Sequence, residues 1–197
     1  MSDPAELLSS VFGFDAFRPG QEDIVETLLN GEDCLAIMPT GGGKSLCFQL
    51  PALCRDGVTV VISPLIALMR DQVRGLREAG VAAGALTSGN TEEETEDVFA
   101  ALDRGELKLL YMAPERLAGA GTVNLLRRIG VTLIAADEAH CVSQWGHDFR
   151  PDYLRIGRLR ELLRVPVAAF TATAVETRDE ICASVPGIGV KGVPARV

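Results

Sequence analysis

The sequence predicts an α/β domain in which a mostly parallel β-sheet carries helices on both faces. Short aliphatic runs alternate along the chain with longer segments of helical character. Each run is apolar throughout, which is typical of strands buried on both faces of a parallel sheet. The 197 residues are enough to build one domain with a full core. Strand–helix alternation in such a domain produces this architecture.

Six short apolar segments are predicted as strands, and they occupy residues 34–37, 58–62, 82–86, 107–112, 131–136 and 167–170. Five segments between them are predicted as helices, at residues 21–30, 44–53, 65–79, 91–103 and 153–163. Gly31 and Gly80 stand where a helix C-cap glycine belongs. Thr91 and Glu94 have the spacing of a capping box. In sheets of this kind the ligand lies at the carboxyl ends of the strands.

Composition excludes several classes of protein. Hydrophobic residues make up 47% and charged residues 23% of the chain, which excludes a disordered protein. The net charge of −8 argues against a polycationic nucleic-acid binder. No apolar run approaches the roughly 20 residues of a membrane helix. Five cysteines without a C-x-x-C pair favour buried apolar thiols over a disulfide framework or a zinc site, so we expect a cytoplasmic location.

Residues 38–45, MPTGGGKS, follow the first predicted strand and precede a helix. Gly43, Lys44 and Ser45 match the phosphate-loop pattern, whereas Met38 replaces its first glycine. Successive glycines let backbone N–H groups surround phosphate oxygens, and a helix N-terminus attracts the same anion. Lys44 would bind the β- and γ-phosphates of ATP, and Ser45 would ligate Mg²⁺. The predicted ATP-binding set here is Thr40, Gly41, Gly42, Gly43, Lys44 and Ser45. The alternative is a glycine-rich loop that only turns a strand into a helix.

Two adjacent acids follow the fifth predicted strand, in the tetrapeptide DEAH of residues 137–140. A carboxylate at the end of a strand neighbouring the phosphate-loop strand is what a P-loop ATPase needs to hold Mg²⁺, and we assign this role to Asp137. Glu138 would orient or deprotonate the attacking water. Lys44, Asp137 and Glu138 are therefore the predicted catalytic residues. His140 either links the ATP site to the next loop or satisfies a hydrogen bond at the strand end.

The motifs MPTGGGKS and DEAH resemble those of superfamily 2 helicases, and further segments resemble the RecQ helicases within that group. These segments are FGFDAFRPGQ at 12–21, VISPLIALMRDQV at 61–73, LLYMAPERL at 109–117, DEAHCVSQWGHDFRPDY at 137–153 and FTATA at 170–174. The resemblance covers about residues 7–181. It implies the N-terminal lobe of a helicase, with a RecA-like P-loop NTPase fold, ATP and Mg²⁺ as cofactors, and single-stranded or duplex DNA as partner.

The resemblance also assigns an adenine-recognition motif upstream of the phosphate loop. Gln21 would read the adenine edge through its amide, Arg18 would lie against the base, and Phe14 would stack on it. The family often has tyrosine at the position of Phe14, so any role of that hydroxyl is lost here. Ordinary core packing of Phe14 and Phe17 is the alternative.

Aromatic and cationic side chains follow the DEAH tetrapeptide, namely Trp145, His147, Phe149 and Arg150. Such groups suit stacking on unpaired bases and contact with phosphate. The resemblance implies that this aromatic loop couples binding of single-stranded DNA to ATP hydrolysis. The alternative is that Trp145 and Phe149 are core residues under a long connection.

Other polar residues are placed only by the resemblance. Thr171, Thr173 and His140 would connect the ATP site to DNA-dependent movement. The alternative is that they are ordinary polar residues at the end of a strand. A DNA track would be formed by Ser63, Arg70, Glu115 and Arg116, with solvated surface charges as the alternative.

The resemblance implies a RecA-like lobe at residues 21–184, preceded by an N-terminal helix and the adenine segment at 1–20. Residues 185–197 are interpreted as a linker or truncated tail. The activity implied is ATP-dependent 3′–5′ unwinding of DNA in repair and recombination. The expected location is the bacterial nucleoid. We expect no membrane partner and no zinc in this chain. A second lobe that supplies an arginine finger is missing from the 197 residues, so we expect slow hydrolysis and no unwinding by the chain alone. One alternative is a non-catalytic module that binds single-stranded DNA or a partner. A second alternative is an RNA helicase lobe, but the segment WGHDFRP argues against it.

Overall fold

The protein is described by a computed structural model that covers residues 2–143, 149–172 and 178–192. Within these ranges the strands are β1 (Cys34–Ile37), β2 (Val58–Ile62), β3 (Ala83–Leu86), β4 (Leu109–Met112), β5 (Val131–Ala136), β6 (Val167–Thr171) and β7 (Gly189–Gly192). The α-helices are α1 (Pro4–Ser10), α2 (Gln21–Leu29), α3 (Lys44–Cys54), α4 (Ile66–Glu78), α5 (Glu92–Asp103), α6 (Ala120–Arg128), α7 (Arg155–Leu163) and α8 (Arg178–Ser184). Short 3₁₀ helices cover Pro114–Ala118, Ala139–Val142 and Pro151–Leu154.

The described strands form one sheet in the order β3-β4-β2-β5-β6-β1-β7. Every recorded strand pair is parallel, so the predicted fold class is confirmed. The prediction that the DEAH strand neighbours the phosphate-loop strand is wrong, because β6 lies between β5 and β1. The carboxyl ends of these three strands lie side by side and bring the phosphate loop, Thr171 and the acid pair to one edge.

Strands β1 to β6 are buried on both faces, and successive side chains enter different cores, as the twofold period of a strand requires. On β5, Leu133 and Ala135 pack with α2, α3 and α4, whereas Ile134 and Ala136 pack with α5, α6, α7 and α8. A smaller cluster joins α1 to α2 and α3 through Leu8. The helices therefore cover both faces of the sheet, as predicted.

Among the described strands and α-helices, α6, α8 and β7 were not predicted. β7 lies within the segment interpreted as a linker or tail, and it pairs in parallel with β1, with Cys34 opposite Gly189. At least residues 189–192 are therefore part of the sheet edge rather than a linker. None of the helices in the described ranges is long and apolar enough to cross a membrane.

Candidate nucleotide-binding site

The phosphate loop leaves β1 at the carboxyl edge of the sheet and enters α3 at Lys44. Its entry is fixed because the backbone N–H of Met38 donates to the Thr171 carbonyl on β6 at 3.0 Å. Gly41 and Gly43 both have φ of 78°, a left-handed conformation that costs glycine little. Gly43 is the N-cap of α3, and no side chain caps this helix end. The free backbone N–H groups of the first helical turn thus suit an anion.

The predicted adenine-reading residues lie directly against this loop. The Gln21 amide nitrogen donates to the Gly43 carbonyl at 3.1 Å, and its oxygen accepts from the Arg18 backbone N–H at 2.8 Å. The Arg18 guanidinium donates to the Gly41 carbonyl at 2.7 Å. Gln21 is only 2% exposed. The structure therefore joins the adenine segment to the phosphate loop, and reading of a base by Gln21 stays a prediction that requires its amide to exchange partners.

Phe14 and Phe17 differ in their environments. Phe14 is 45% exposed, so it does not pack in the core and its ring is accessible. Phe17 packs against the small cluster that contains Leu8, which is the core packing considered as the alternative.

Glu138 lies between two basic side chains at the carboxyl edge. Its carboxylate is 4.0 Å from the Lys44 ammonium and 3.3 Å from Nδ1 of His140. Nδ1 of His140 is also 3.4 Å from the Thr171 hydroxyl. The structure thus brings Lys44, Glu138, His140 and Thr171 together across the ends of three elements. This arrangement can bind a triphosphate and accept a proton from water beside it.

Asp137 is nearly buried, with 6% of its surface exposed. Burial raises the pKa of its carboxyl above the ordinary value and the neighbouring Glu138 adds to the rise, while the Glu138 N–H, Lys44 and His140 oppose it. A nearby cation stabilises the ionised form of a buried carboxyl group of this kind. Together with the hydroxyl of half-buried Ser45 it offers the oxygen donors that Mg²⁺ prefers alongside phosphates and water. The donor set therefore fits Mg²⁺. In the described part of the chain, no group of three or more His, Cys, Asp or Glu side chains is arranged to hold a metal.

The cysteines are buried apart from Cys182, which is partly exposed, and all five are free thiols. Cys47 follows Ser45 by two positions, and its sulfur lies 3.8 Å from that of Met38. Burial raises the pKa of the Cys47 thiol to about 12. It is therefore a protonated, packed side chain, as the sequence predicts for these cysteines.

The aromatic loop is described only from Phe149 onward, so Trp145 and His147 lie outside the described residues, as does Thr173. Phe149 is half-buried and Arg150 is exposed. The Arg150 guanidinium contacts the Glu115 carboxylate at 3.0 Å, which joins the aromatic loop to the 3₁₀ helix Pro114–Ala118. Two segments that the sequence placed in separate motifs are therefore in direct contact.

The remaining residues of the predicted DNA track have different environments. Ser63 is 2% exposed and its hydroxyl has no hydrogen-bond partner among the described residues, so it is not a surface residue. Arg70 is exposed, donates to the Gly89 carbonyl and lies 3.5 Å from Glu94. Arg116 lines an open groove with Phe99. Contact of these residues with DNA stays a prediction.

Sequence reasoning missed one residue that contacts the site. The Tyr153 hydroxyl donates to the Asp137 carbonyl at 2.7 Å, and the side chain is 2% exposed. Tyr153 closes the segment WGHDFRPDY, so its place in that motif was visible. The contact was not predicted because Tyr153 lies 16 positions from Asp137 in the sequence.

A glycine-rich loop before a helix, with an acid pair two strands away at the same sheet edge, defines a P-loop NTPase with a RecA-like α/β fold. Residues 18–181 match the family described as DEAD/DEAH box helicase. Because this match covers most of the chain, the protein belongs to the DEAD/DEAH box helicase family.

Curated relatives are similar over most of the chain. The ATP-dependent DNA helicase RecQ of Haemophilus influenzae is 51% identical over 169 residues, which cover 85% of this chain and 27% of the relative. The protein of the same name from Bacillus subtilis is 48% identical over 180 residues, covering 89% and 30% respectively. The chain thus spans less than a third of the length of these relatives.

Solved structures share the fold at low sequence identity. The helicase MrfA bound to DNA superposes with a TM-score of 0.75 at 21% identity, over 98% of this chain and 29% of that one. A hypothetical ATP-dependent RNA helicase from Sulfolobus tokodaii superposes with a TM-score of 0.72 at 20% identity, over 98% and 57%. These similarities establish the fold alone.

Proposed function

We propose that the chain is the ATP-binding motor lobe of a RecQ-like DNA helicase, which couples ATP hydrolysis to 3′–5′ unwinding of duplex DNA in repair and recombination. The observation that carries the proposal is the contact of Lys44 with Glu138, 4.0 Å apart across the mouth of the phosphate loop. It brings a phosphate-binding cation to the acid that would activate water. Identity near 50% to proteins named ATP-dependent DNA helicase RecQ supports DNA as the partner.

In this proposal the residues have separate tasks. Backbone N–H groups of the phosphate loop and the Lys44 ammonium bind the phosphates. Ser45 and Asp137 would hold Mg²⁺, which neutralises charge on the β- and γ-phosphates when bound. Glu138 orients water and accepts its proton, with His140 beside it as a second contact. The approach of a triphosphate would draw Lys44 away from Glu138 and free that carboxylate.

The 197-residue chain alone is proposed to hydrolyse ATP slowly and not to unwind DNA. A P-loop motor that lacks an arginine finger loses on the order of 10³ to 10⁵ in turnover, and in the family resembled here that arginine belongs to a second lobe. The proposal extends to a cytoplasmic location at the bacterial nucleoid, supported by the free thiols and by similarity to bacterial proteins.

The test measures ATP hydrolysis by the 197-residue chain with and without single-stranded DNA, and with single-stranded RNA of the same length. We expect slow hydrolysis that requires Lys44, and binding that favours DNA over RNA. Lys44→Ala is the control for contaminating ATPase activity. Fast DNA-stimulated turnover by the chain alone would refute its dependence on a second lobe. DNA affinity that persists without any ATP binding would favour a non-catalytic module, and preference for RNA would favour an RNA helicase lobe.

A further inference from the structure

Two segments of the chain contact each other at the candidate site. We name residues 137–142 the catalytic turn and residues 149–154 the return segment, since the latter leads from the aromatic loop back to α7. The Arg150 backbone N–H donates to the Cys141 carbonyl at 2.8 Å. The Tyr153 hydroxyl donates to the Asp137 carbonyl at 2.7 Å. The return segment is therefore tied to the catalytic turn at both of its ends.

The Tyr153 contact falls on the peptide that joins the two catalytic acids. The carbonyl of this Asp137–Glu138 peptide accepts from the tyrosine hydroxyl, and its N–H donates to the Asp137 carboxylate at 3.0 Å. Both polar groups of one peptide are thus satisfied by side chains rather than by the sheet. The orientation of this peptide determines where both carboxylates point.

The backbone at Glu138 needs such support. Glu138 has φ of 51° and ψ of 47°, a left-handed conformation that costs a non-glycine residue roughly 1–2 kcal/mol. Such conformations persist where surrounding contacts over-determine them, and they cluster at functional sites. The Tyr153 hydrogen bond is one contact that holds the preceding carbonyl in this turn.

We propose that Tyr153 is a positioning residue, whose hydroxyl holds the Asp137–Glu138 peptide and links the two acids to the return segment of the aromatic loop. A shift of the return segment would move the Asp137 carbonyl through this hydrogen bond and would re-aim Glu138. Burial raises the pKa of the Tyr153 hydroxyl, so it keeps its proton and donates throughout the physiological range. The proposal rests on the ATP-hydrolysing function proposed above.

The chain provides a matched control, because it contains two tyrosines and both are buried with a bonded hydroxyl. Tyr111 on β4 is 1% exposed, and its hydroxyl accepts from the Gln49 amide at 3.0 Å. Tyr153→Phe and Tyr111→Phe each remove one buried hydroxyl and keep the ring. Only the first removes a hydrogen bond to the catalytic turn.

The first measurement is hydrogen exchange of the ligand-free chain, which does not depend on activity. We expect Tyr153→Phe to speed exchange of amides in residues 138–141, and Tyr111→Phe to leave that region unchanged. Unchanged exchange of the catalytic turn in Tyr153→Phe would overturn the proposal.

The second measurement is ATP hydrolysis under single-turnover conditions, with the protein in saturating excess. Loss of a hydrogen bond that orients site groups typically lowers activity by 10- to 100-fold, so we expect Tyr153→Phe to lower the rate constant by about 10-fold. Its Kd for Mg·ATP should change less than the rate constant, because the phosphate loop and Lys44 still bind the phosphates. Equal rate constants in the two tyrosine variants would overturn the proposal. If the parent chain binds no ATP, the proposed function fails, and hydrogen exchange alone decides whether Tyr153 positions the turn.

Discussion

Glu138 combines a left-handed backbone with a carboxylate shared by Lys44 and His140. The Glu138 carboxylate lies 4.0 Å from the Lys44 ammonium and balances part of its positive charge. A carboxylate beside the phosphate loop also repels an incoming triphosphate, because like charges at short distance are unfavourable. In the proposed function Glu138 would therefore oppose ATP binding and serve the chemical step.

This balance predicts that Glu138→Gln separates binding from chemistry. The amide keeps the size of the side chain and removes the negative charge, so Mg·ATP should bind at least as tightly as in the parent chain. Hydrolysis should fall by about 10²- to 10⁴-fold, the usual contribution of a general base. Calorimetry and single-turnover hydrolysis measure the two effects. Weaker ATP binding together with unchanged hydrolysis would show that Glu138 is not the base.

A second prediction concerns Gly43. A Cβ at this position would lie 2.4 Å from the Gln21 amide nitrogen, whereas a Cβ at Gly41 meets no atom within 4 Å. Both glycines have φ of 78°, so alanine strains the backbone equally at the two sites. Gly43→Ala should therefore weaken Mg·ATP binding by about 10-fold more than Gly41→Ala, a difference of about 1.4 kcal/mol. Equal affinities of the two variants, measured by calorimetry, would contradict the link between the adenine segment and the loop.

Residue types and motif spacing were enough to predict the phosphate loop and the acid pair. They could not show that Gln21 and Arg18 bond the carbonyls of that loop. Nor could they show the contact of Glu115 with Arg150, which are 35 positions apart. Such contacts depend on how segments that are distant in the sequence pack against each other, and motif spacing does not specify that packing.

Six of the seven described strands were predictable, whereas β7 and some helices were not. β1, β2 and β5 have the predicted bounds, since apolar runs buried on both faces are distinctive. α6 was missed because its sequence AGTVNLLRR contains glycine, threonine and asparagine, which are poor helix formers. β7 was missed because the sequence GVKG carries little strand signal, and its pairing with β1 comes from the tertiary structure.

The close packing of α7 against α8 predicts how a substitution at Gly157 changes the free energy of unfolding. A Cβ at Gly157 in α7 would lie 1.9 Å from the Ser184 carbonyl oxygen at the end of α8, whereas exposed Gly75 in α4 has no neighbour within 4 Å. Gly157→Ala should lower the free energy of unfolding by about 1–3 kcal/mol through overpacking. Gly75→Ala should raise it by about 0.5–1 kcal/mol, because alanine is the better helix former.

Urea denaturation of the two variants beside the parent chain measures this difference. Stabilisation by Gly157→Ala would mean that α8 does not approach α7 as closely as the structure shows.

At the scale of the whole molecule, charge is distributed unevenly along the chain. Residues 1–100 contain six basic and 16 acidic side chains, whereas residues 101–197 contain 13 basic and 11 acidic ones. The net charge of −8 thus arises entirely from the first half, much of it on the exposed first turns of α5. A protein with this balance does not hold DNA by bulk electrostatics. The proposed motor lobe would instead contact a DNA strand locally, beside Arg150 and the arginines of α7.

The proposed function requires that the phosphate loop at the carboxyl edge of this sheet binds ATP. Calorimetric titration of Mg·ATP into the 197-residue chain and into Lys44→Ala measures this affinity. We expect saturable binding of one ATP to the parent chain and a loss of affinity of at least about 10-fold in the variant, because the ammonium pairs with the phosphates. Equal affinity of the two proteins, or no binding by a folded parent chain, would contradict it.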